Sequence, residues 1–156
     1  MQIILSVYLV AIACWLGGIV FFSFFTAPIV FSRLPVAEAG KVINGIFPLY
    51  YILGYATGAT ALALTVYFAK AGASRSLWVV TAILLAISLA TTVYAGMIVR
   101  PKTAAIRSVV EEANPDPIRK AEFDSLHHLS VRLNGGVLLI NLVALAASAA
   151  ALTKNG

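Results

Sequence analysis

Residues 2–32 read QIILSVYLVAIACWLGGIVFFSFFTAPIVFS, 31 residues without one Asp, Glu, Lys or Arg. At 1.5 Å per residue, a helix crosses a ~30 Å hydrocarbon core in about 20 residues, so this stretch spans a membrane with turns to spare. Three further uncharged runs follow at 42–69, 76–99 and 133–153, and the four hold about two thirds of the 156 residues. Lipid offers no partner to backbone N–H and C=O groups, so runs of this length are helices, which satisfy those groups internally. Composition agrees: 61% of residues are apolar, 11% are charged, and mean hydropathy is +0.95. A soluble domain carries about a quarter charged residues.

The class is therefore all-α: an integral membrane four-helix bundle forming one domain over 1–156. Its spans are expected at about 3–31, 42–69, 76–100 and 133–152, with a short amphipathic hairpin at about 101–132 lying on the membrane surface. The first run has no cationic n-region, is about twice the usual signal-peptide core length and shows no small-residue cleavage site, so it reads as a retained helix. The fourth helix is expected to begin before the membrane, with Asp116 as N-cap and Pro117 in the first turn, after Asn114-Pro115 has stopped the preceding segment. The third is expected to restart past Pro101, since Ile106, Val109, Val110 and Ala113 share a stripe and Arg107 and Glu111 stand four apart.

Charge placement orients the chain. Arg33, Lys41, Arg100, Lys102, Arg107, Arg119, Lys120 and Arg132 fall on the side of the first and third connections; Lys70, Arg75 and Lys154 fall on the other. Eight against three places the first and third connections in the cytoplasm of a bacterial inner membrane and both termini outside. A net charge of +5 concentrated at helix ends points to anionic lipid, not nucleic acid. Small residues at four-residue spacing, Gly54 with Gly58, Ser88 with Thr92 and Gly96, and Ala146 with Ala150, suit close helix packing within one bundle, with a homodimer as the alternative use.

Polar residues inside a membrane are costly unless they meet a partner or a wet cavity. His127, Asn134, Asn141 and Ser148 recur at seven-residue steps, drifting only ~20° per step, and Ser130 lies a turn from His127. They form one polar stripe, with interhelical hydrogen bonding the plainer role for Asn141 and Ser148. On the same membrane side the first helix ends through Pro28 to Arg33, the second opens with Phe47, Pro48, Tyr50 and Tyr51, and the third ends at Arg100-Pro101. These features predict a cytoplasm-facing cleft lined by Arg33, Phe47, Pro48, Tyr50, Tyr51, Arg100, His127, Ser130 and Asn134.

Trp15-Leu16-Gly17-Gly18, Ile46-Phe47-Pro48-Leu49-Tyr50-Tyr51, Arg100-Pro101-Lys102-Thr103-Ala104-Ala105, and Phe123 with His127, Leu129, Ser130 and Asn134 together resemble the transmembrane protein 205 group. Its bacterial members carry a small four-helix membrane domain of unknown function. Its pattern has Gly after the His and an acidic residue before the Arg-Pro pair; His128 and Val99 depart from it here. The resemblance implies a fold and marks His127 over His128, and it brings no agreed molecular activity.

Four functions fit in descending order. The first is binding or transport of a small or lipid-derived ligand: Arg supplies fixed charge, His a titratable donor and Tyr a ring with a polar tip. The second is an accessory or assembly subunit whose hairpin docks a cytoplasmic or membrane protein. The third is metal or haem binding, prompted by His127-His128 and a faint likeness of Trp15-x-Gly17-Gly18 to copper-resistance membrane domains. Adjacent helical residues point about 100° apart, no other helix has a His, and Cys14 is alone, so neither metal nor cofactor is expected. The fourth, an intramembrane enzyme with His127 as base, lacks a second catalytic group, and no enzyme activity is expected.

Overall fold

The computed structural model describes residues 2–71, 74–110 and 115–154, with side chains outside 108–110. Four helices, each long and apolar enough to cross a membrane, make up the bundle: α1 (Gln2–Arg33), α2 (Val36–Ala71), α3 (Arg75–Arg107, continuing as helix to Val110) and α4 (Pro117–Thr153). Each packs on its chain neighbour, and α1 also meets α4. Leu34 is extended (φ −120°, ψ 150°), as a residue before proline prefers, and this turns the chain from α1 into α2. Asp116 caps α4 as expected: its carboxylate accepts the Ile118 N–H at 3.0 Å, with Pro117 in the first turn.

The bundle is inside-out in the sense membranes require. Large apolar side chains cover the exterior, among them Ile3, Val10, Ile52, Leu139 and Val143. The interior mixes apolar and hydroxyl groups. Tyr8, Phe68 and Trp78 meet edge-on or tilted at 4.8–5.9 Å between centroids. Tyr8 hydrogen-bonds Ser148, whose hydroxyl also donates to the Ala144 carbonyl at 2.7 Å. Thr65, Thr81 and Thr92 return their hydroxyls to their own helices, and Ser88 reaches the Val137 carbonyl at 3.4 Å. The Gly54-x-x-x-Gly58 pair serves this interior: a Cβ on Gly58 would fall 2.8 Å from Trp15 Cη2, so the glycines seat the indole of α1 against α2.

Two π-helical turns interrupt the α geometry, at Phe21–Thr26 in α1 and Ala95–Val99 in α3. Both end two residues ahead of a proline, Pro28 and Pro101. Proline cannot donate and its ring crowds the carbonyl four residues back. Widening the preceding turn resolves this locally: the N–H of Ala27 bonds Phe22 O and that of Arg100 bonds Ala95 O, five residues back in each case.

That device corrects one expectation. The third helix does not restart at Pro101, because the wide turn absorbs the proline and the helix runs on to Val110. α4 is continuous from Pro117, and the expected hairpin between the third and fourth helices is built from the packed, antiparallel ends of α3 and α4. The second helix starts at Val36, earlier than expected, so Pro48 lies inside it. Of the expected amphipathic stripe, Ile106 and Arg107 are described; the side chains of Val109 and Val110, and Glu111 and Ala113 entirely, lie outside the described residues.

Candidate functional site

At the end of the bundle that holds both prolines, a cavity of about 410 Å³ lies between all four helices. From α1 come Phe22, Ser23, Phe24, Ala27 and Phe31; from α2 Ile43, Asn44, Phe47, Tyr50 and Tyr51; from α3 Arg100, Thr103, Ala104 and Arg107; from α4 Phe123, His127, Ser130, Val131, Asn134, Gly135 and Leu138. Helix periodicity explains each set. Phe47, Tyr50 and Tyr51 recur at three and four residues, as do Arg100, Thr103, Ala104 and Arg107, so each group makes one face. The volume is within the range of about 300–1,000 Å³ typical of small-ligand sites.

An aromatic wall forms where α1 meets α2. The Phe22 ring lies 4.8 Å from Tyr50 and 5.3 Å from Phe47, and Phe47 lies 5.9 Å from Tyr51. Tyr51 stacks on Tyr55 at 6.1 Å, and Gly96 in the π turn of α3 lets both rings approach: a Cβ there would stand 2.6 Å from Tyr51 Cδ1.

The floor is a three-helix hydrogen-bond chain. The Tyr50 hydroxyl donates to Asn134 Oδ1, and Asn134 Nδ2 donates to Ser23 Oγ at 2.8 Å. Both ends of the amide are thereby used, which is what a polar side chain at membrane depth needs. Seven residues along α4, Asn141 is fully buried with neither its Nδ2 nor its Oδ1 hydrogen-bonded.

The basic side comes from the end of α3. Arg100 Nη2 donates to the Asn44 carbonyl at 3.4 Å, while its Nε is buried without a partner. Arg107 Nη1 donates to the Gly40 carbonyl at 2.6 Å and its guanidinium lies 6.0 Å above the Phe123 ring. Gly40 permits this, since a side chain there would occupy the guanidinium's place. His127 stacks parallel on Phe123 at 6.4 Å, an interplanar angle of 3°. Among the described residues no Asp or Glu lines the cavity.

Seven of the nine residues expected from sequence thus share one cavity: Phe47, Tyr50, Tyr51, Arg100, His127, Ser130 and Asn134. Arg33 and Pro48 do not. Arg33 is two residues, about 200°, beyond the inward-facing Phe31 and is exposed; Pro48 is turned about 100° from Phe47 and is exposed too. Sequence reading missed Ser23, Thr103, Arg107 and Phe123 as lining residues. The signal for Thr103 and Arg107 was their helical spacing from Arg100, visible only if the helix continues through Pro101; that for Ser23 was a lone hydroxyl within Phe21-Phe22-Ser23-Phe24-Phe25. Among the described residues no group of three or more His, Cys, Asp or Glu is placed to hold a metal ion.

A family model described as a domain of unknown function, DUF4149, matches residues 10–112, about two thirds of the chain, from the first turns of α1 through α3. No curated protein and no solved structure matches.

Proposed function

This chain belongs to the DUF4149 family, whose description assigns no activity, and from the site it carries we propose a membrane protein that binds or transports a small or lipid-derived ligand through the cavity around Arg100. One observation carries the reading: a cavity of about 410 Å³ joins Arg100, Arg107, His127 and Asn134 to an aromatic wall, with no acidic group in its lining among the described residues. Such a combination of apolar walls with a few convergent polar groups is the usual composition of a ligand site. The resemblance to the transmembrane protein 205 group supports it, because Phe47, Tyr50, Tyr51, Arg100, Thr103, Ala104, Phe123, His127, Ser130 and Asn134, all within the motifs that carry the resemblance, line that cavity.

We place the chain in a bacterial inner membrane as a multi-pass protein, with both termini outside and the α3–α4 connection in the cytoplasm, on the strength of eight Lys and Arg against three. The role proposed is not enzymatic, since the sequence offers His127 no evident second catalytic group within the uncharged runs. A second reading, an accessory subunit, draws on the ends of α3 and α4 that continue past their uncharged runs and carry the exposed Ile118.

Native mass spectrometry of gently solubilised protein, with metal analysis, tests the proposal. Wild type is expected to retain a small molecule or lipid that Arg100→Ala and His127→Ala lose. An empty wild type, unchanged by either substitution, would overturn it and favour the accessory role.

A further inference from the structure

We infer that the ligand is a single-chain amphiphile with an anionic head, drawn sideways from the bilayer so that its head meets Arg100 and its chain lies between α1 and α4. This rests on the cavity being a binding site and names what it takes.

Charge selects the head. Arg100 brings a guanidinium into the cavity, and among the described residues no Asp or Glu lines it. Arg100 forms no ion pair among the described residues; one long hydrogen bond to Asn44 occupies Nη2, and Nε is buried and unpartnered. A buried donor left unmade costs on the order of 1–3 kcal/mol, more when charged. An anionic oxygen pair satisfies it, since the edge of a guanidinium grips carboxylate or phosphate through two parallel N–H donors.

Shape and polarity select the tail. Apart from the Arg side and the Ser23–Asn134 floor, the walls are Phe22, Phe31, Phe47, Phe123 and Leu138, surfaces that a free, hydrated anion leaves unfilled. Along α1 the lining runs from Phe31 to Phe22 inside the uncharged run 2–32, nine residues and about 14 Å at 1.5 Å per residue, close to half of a ~30 Å hydrocarbon core. That is the depth of one leaflet. Its volume, about 410 Å³, suits one chain better than a pair.

The mouth decides the route. α1 and α4 are tied at Tyr8–Ser148 and again at Ser23–Asn134, and beyond that second tie α1 packs on α2 while its contact with α4 thins. The opening between them is rimmed by Phe24, Phe31 and Val131, which are 64%, 41% and 57% exposed. On the α1–α4 side these exposed apolar side chains border lipid, while the exposed His127 and Ala104 mark the end of the cavity that meets the headgroups. Arg100 closes the uncharged run 76–99 and so stands at headgroup level, which lets a bilayer amphiphile enter in the orientation it already has.

The test uses full-length protein in phosphatidylcholine nanodiscs with three probes: oleoyl lysophosphatidate, lysophosphatidylcholine of the same chain, and glycerol 3-phosphate. Lysophosphatidate is expected to bind one per chain, at least about tenfold tighter than its zwitterionic analogue, with glycerol 3-phosphate not competing. Arg100→Gln should erase that preference. A diazirine at the chain end should label α1 and α4 beside the opening. Val131→Trp, at an exposed rim position, should block uptake, whereas Leu139→Trp, facing lipid, should not. Equal competition by glycerol 3-phosphate would overturn the amphiphile and leave the cavity a site for a soluble anion. Equal binding of both lysolipids, insensitive to Arg100→Gln, would overturn the anionic head. Absence of any bound probe together with absence of any co-purified ligand would overturn this inference and the binding function with it.

Discussion

The same substitution, Gly to Ala, should have opposite signs at two positions in this bundle. Gly17 in α1 is exposed and a Cβ there would meet nothing within 4 Å. Replacing a helical glycine in open space reduces the entropy of the unfolded chain, so Gly17→Ala should stabilise by about 0.5–1 kcal/mol. Gly96 in α3 is buried, and a Cβ there would run into the Tyr55 hydroxyl and stand 2.6 Å from Cδ1 and 2.8 Å from Cγ of Tyr51. Carbon atoms pack at about 3.5–4.0 Å, so the Tyr51 ring must move about 1 Å. It is held between Phe47 and Tyr55, and the atoms encountered are at its root, not its tip. Overpacking of this kind costs about 1–3 kcal/mol, which outweighs the entropic gain and leaves Gly96→Ala destabilised by about 1–2 kcal/mol. Reversible SDS titration in mixed micelles, followed by the fluorescence of the buried Trp15 and Trp78, measures both variants. Because the Tyr55 hydroxyl is the free end of a flexible side chain while Tyr51 is met at the root of its ring, Tyr51→Leu should recover part of the loss in the double variant. If Gly96→Ala is as stable as wild type, or moves with Gly17→Ala, the close packing of the π turn of α3 on α2 is wrong.

Three further outcomes follow from other contacts. Ser23→Ala, Tyr50→Phe and Asn134→Ala should each cost roughly 0.6 kcal/mol and at most about 1.7, and a double-mutant cycle on Tyr50 and Asn134 should be non-additive because the two share one hydrogen bond; additivity in SDS unfolding would break that link. Pro101→Ala removes the reason for the wide turn at Ala95–Val99, so the helix beyond should return to α geometry and rotate by about 100°, one residue of register. With Cys14 replaced, a bifunctional thiol reagent as long as the arginine side chain should then join a Gly40→Cys, Arg107→Cys pair when Pro101 is present and do so poorly when it is not. For orientation, a membrane-impermeant thiol reagent added to intact cells should modify Ser74→Cys and spare Ser125→Cys; the reverse pattern would invert the proposed topology.

Helix number was legible in the sequence because it depends on one local quantity, the length of an uncharged run against the thickness of a bilayer. The seven-residue recurrence on α4 was equally legible, since side-chain direction along a helix follows from position alone. Partners are a different matter. Asn134 finds Tyr50 and Ser23, Ser148 finds Tyr8, and Asn141 finds neither donor nor acceptor, although all three belong to the same stripe. The proline in α3 shows the limit of local rules most directly: Pro101 reads as a break, and a wide turn upstream converts it into a continuous helix that carries Arg107 into the cavity.

The sequence by itself determined four membrane-crossing helices, the polar face of α4 and the gathering of Arg100, Tyr50, Tyr51 and His127 at one end, because hydropathy, periodicity and antiparallel alternation are properties of the chain taken residue by residue. Tertiary structure alone decided that α1 and α4 diverge beyond Ser23 and Asn134, that Arg33 turns outward while Arg107 turns inward, and that Gly96 admits Tyr51. A cavity is the space left when surfaces from separate helices fail to meet, so it is set by the packing of all four and is written in none of them singly.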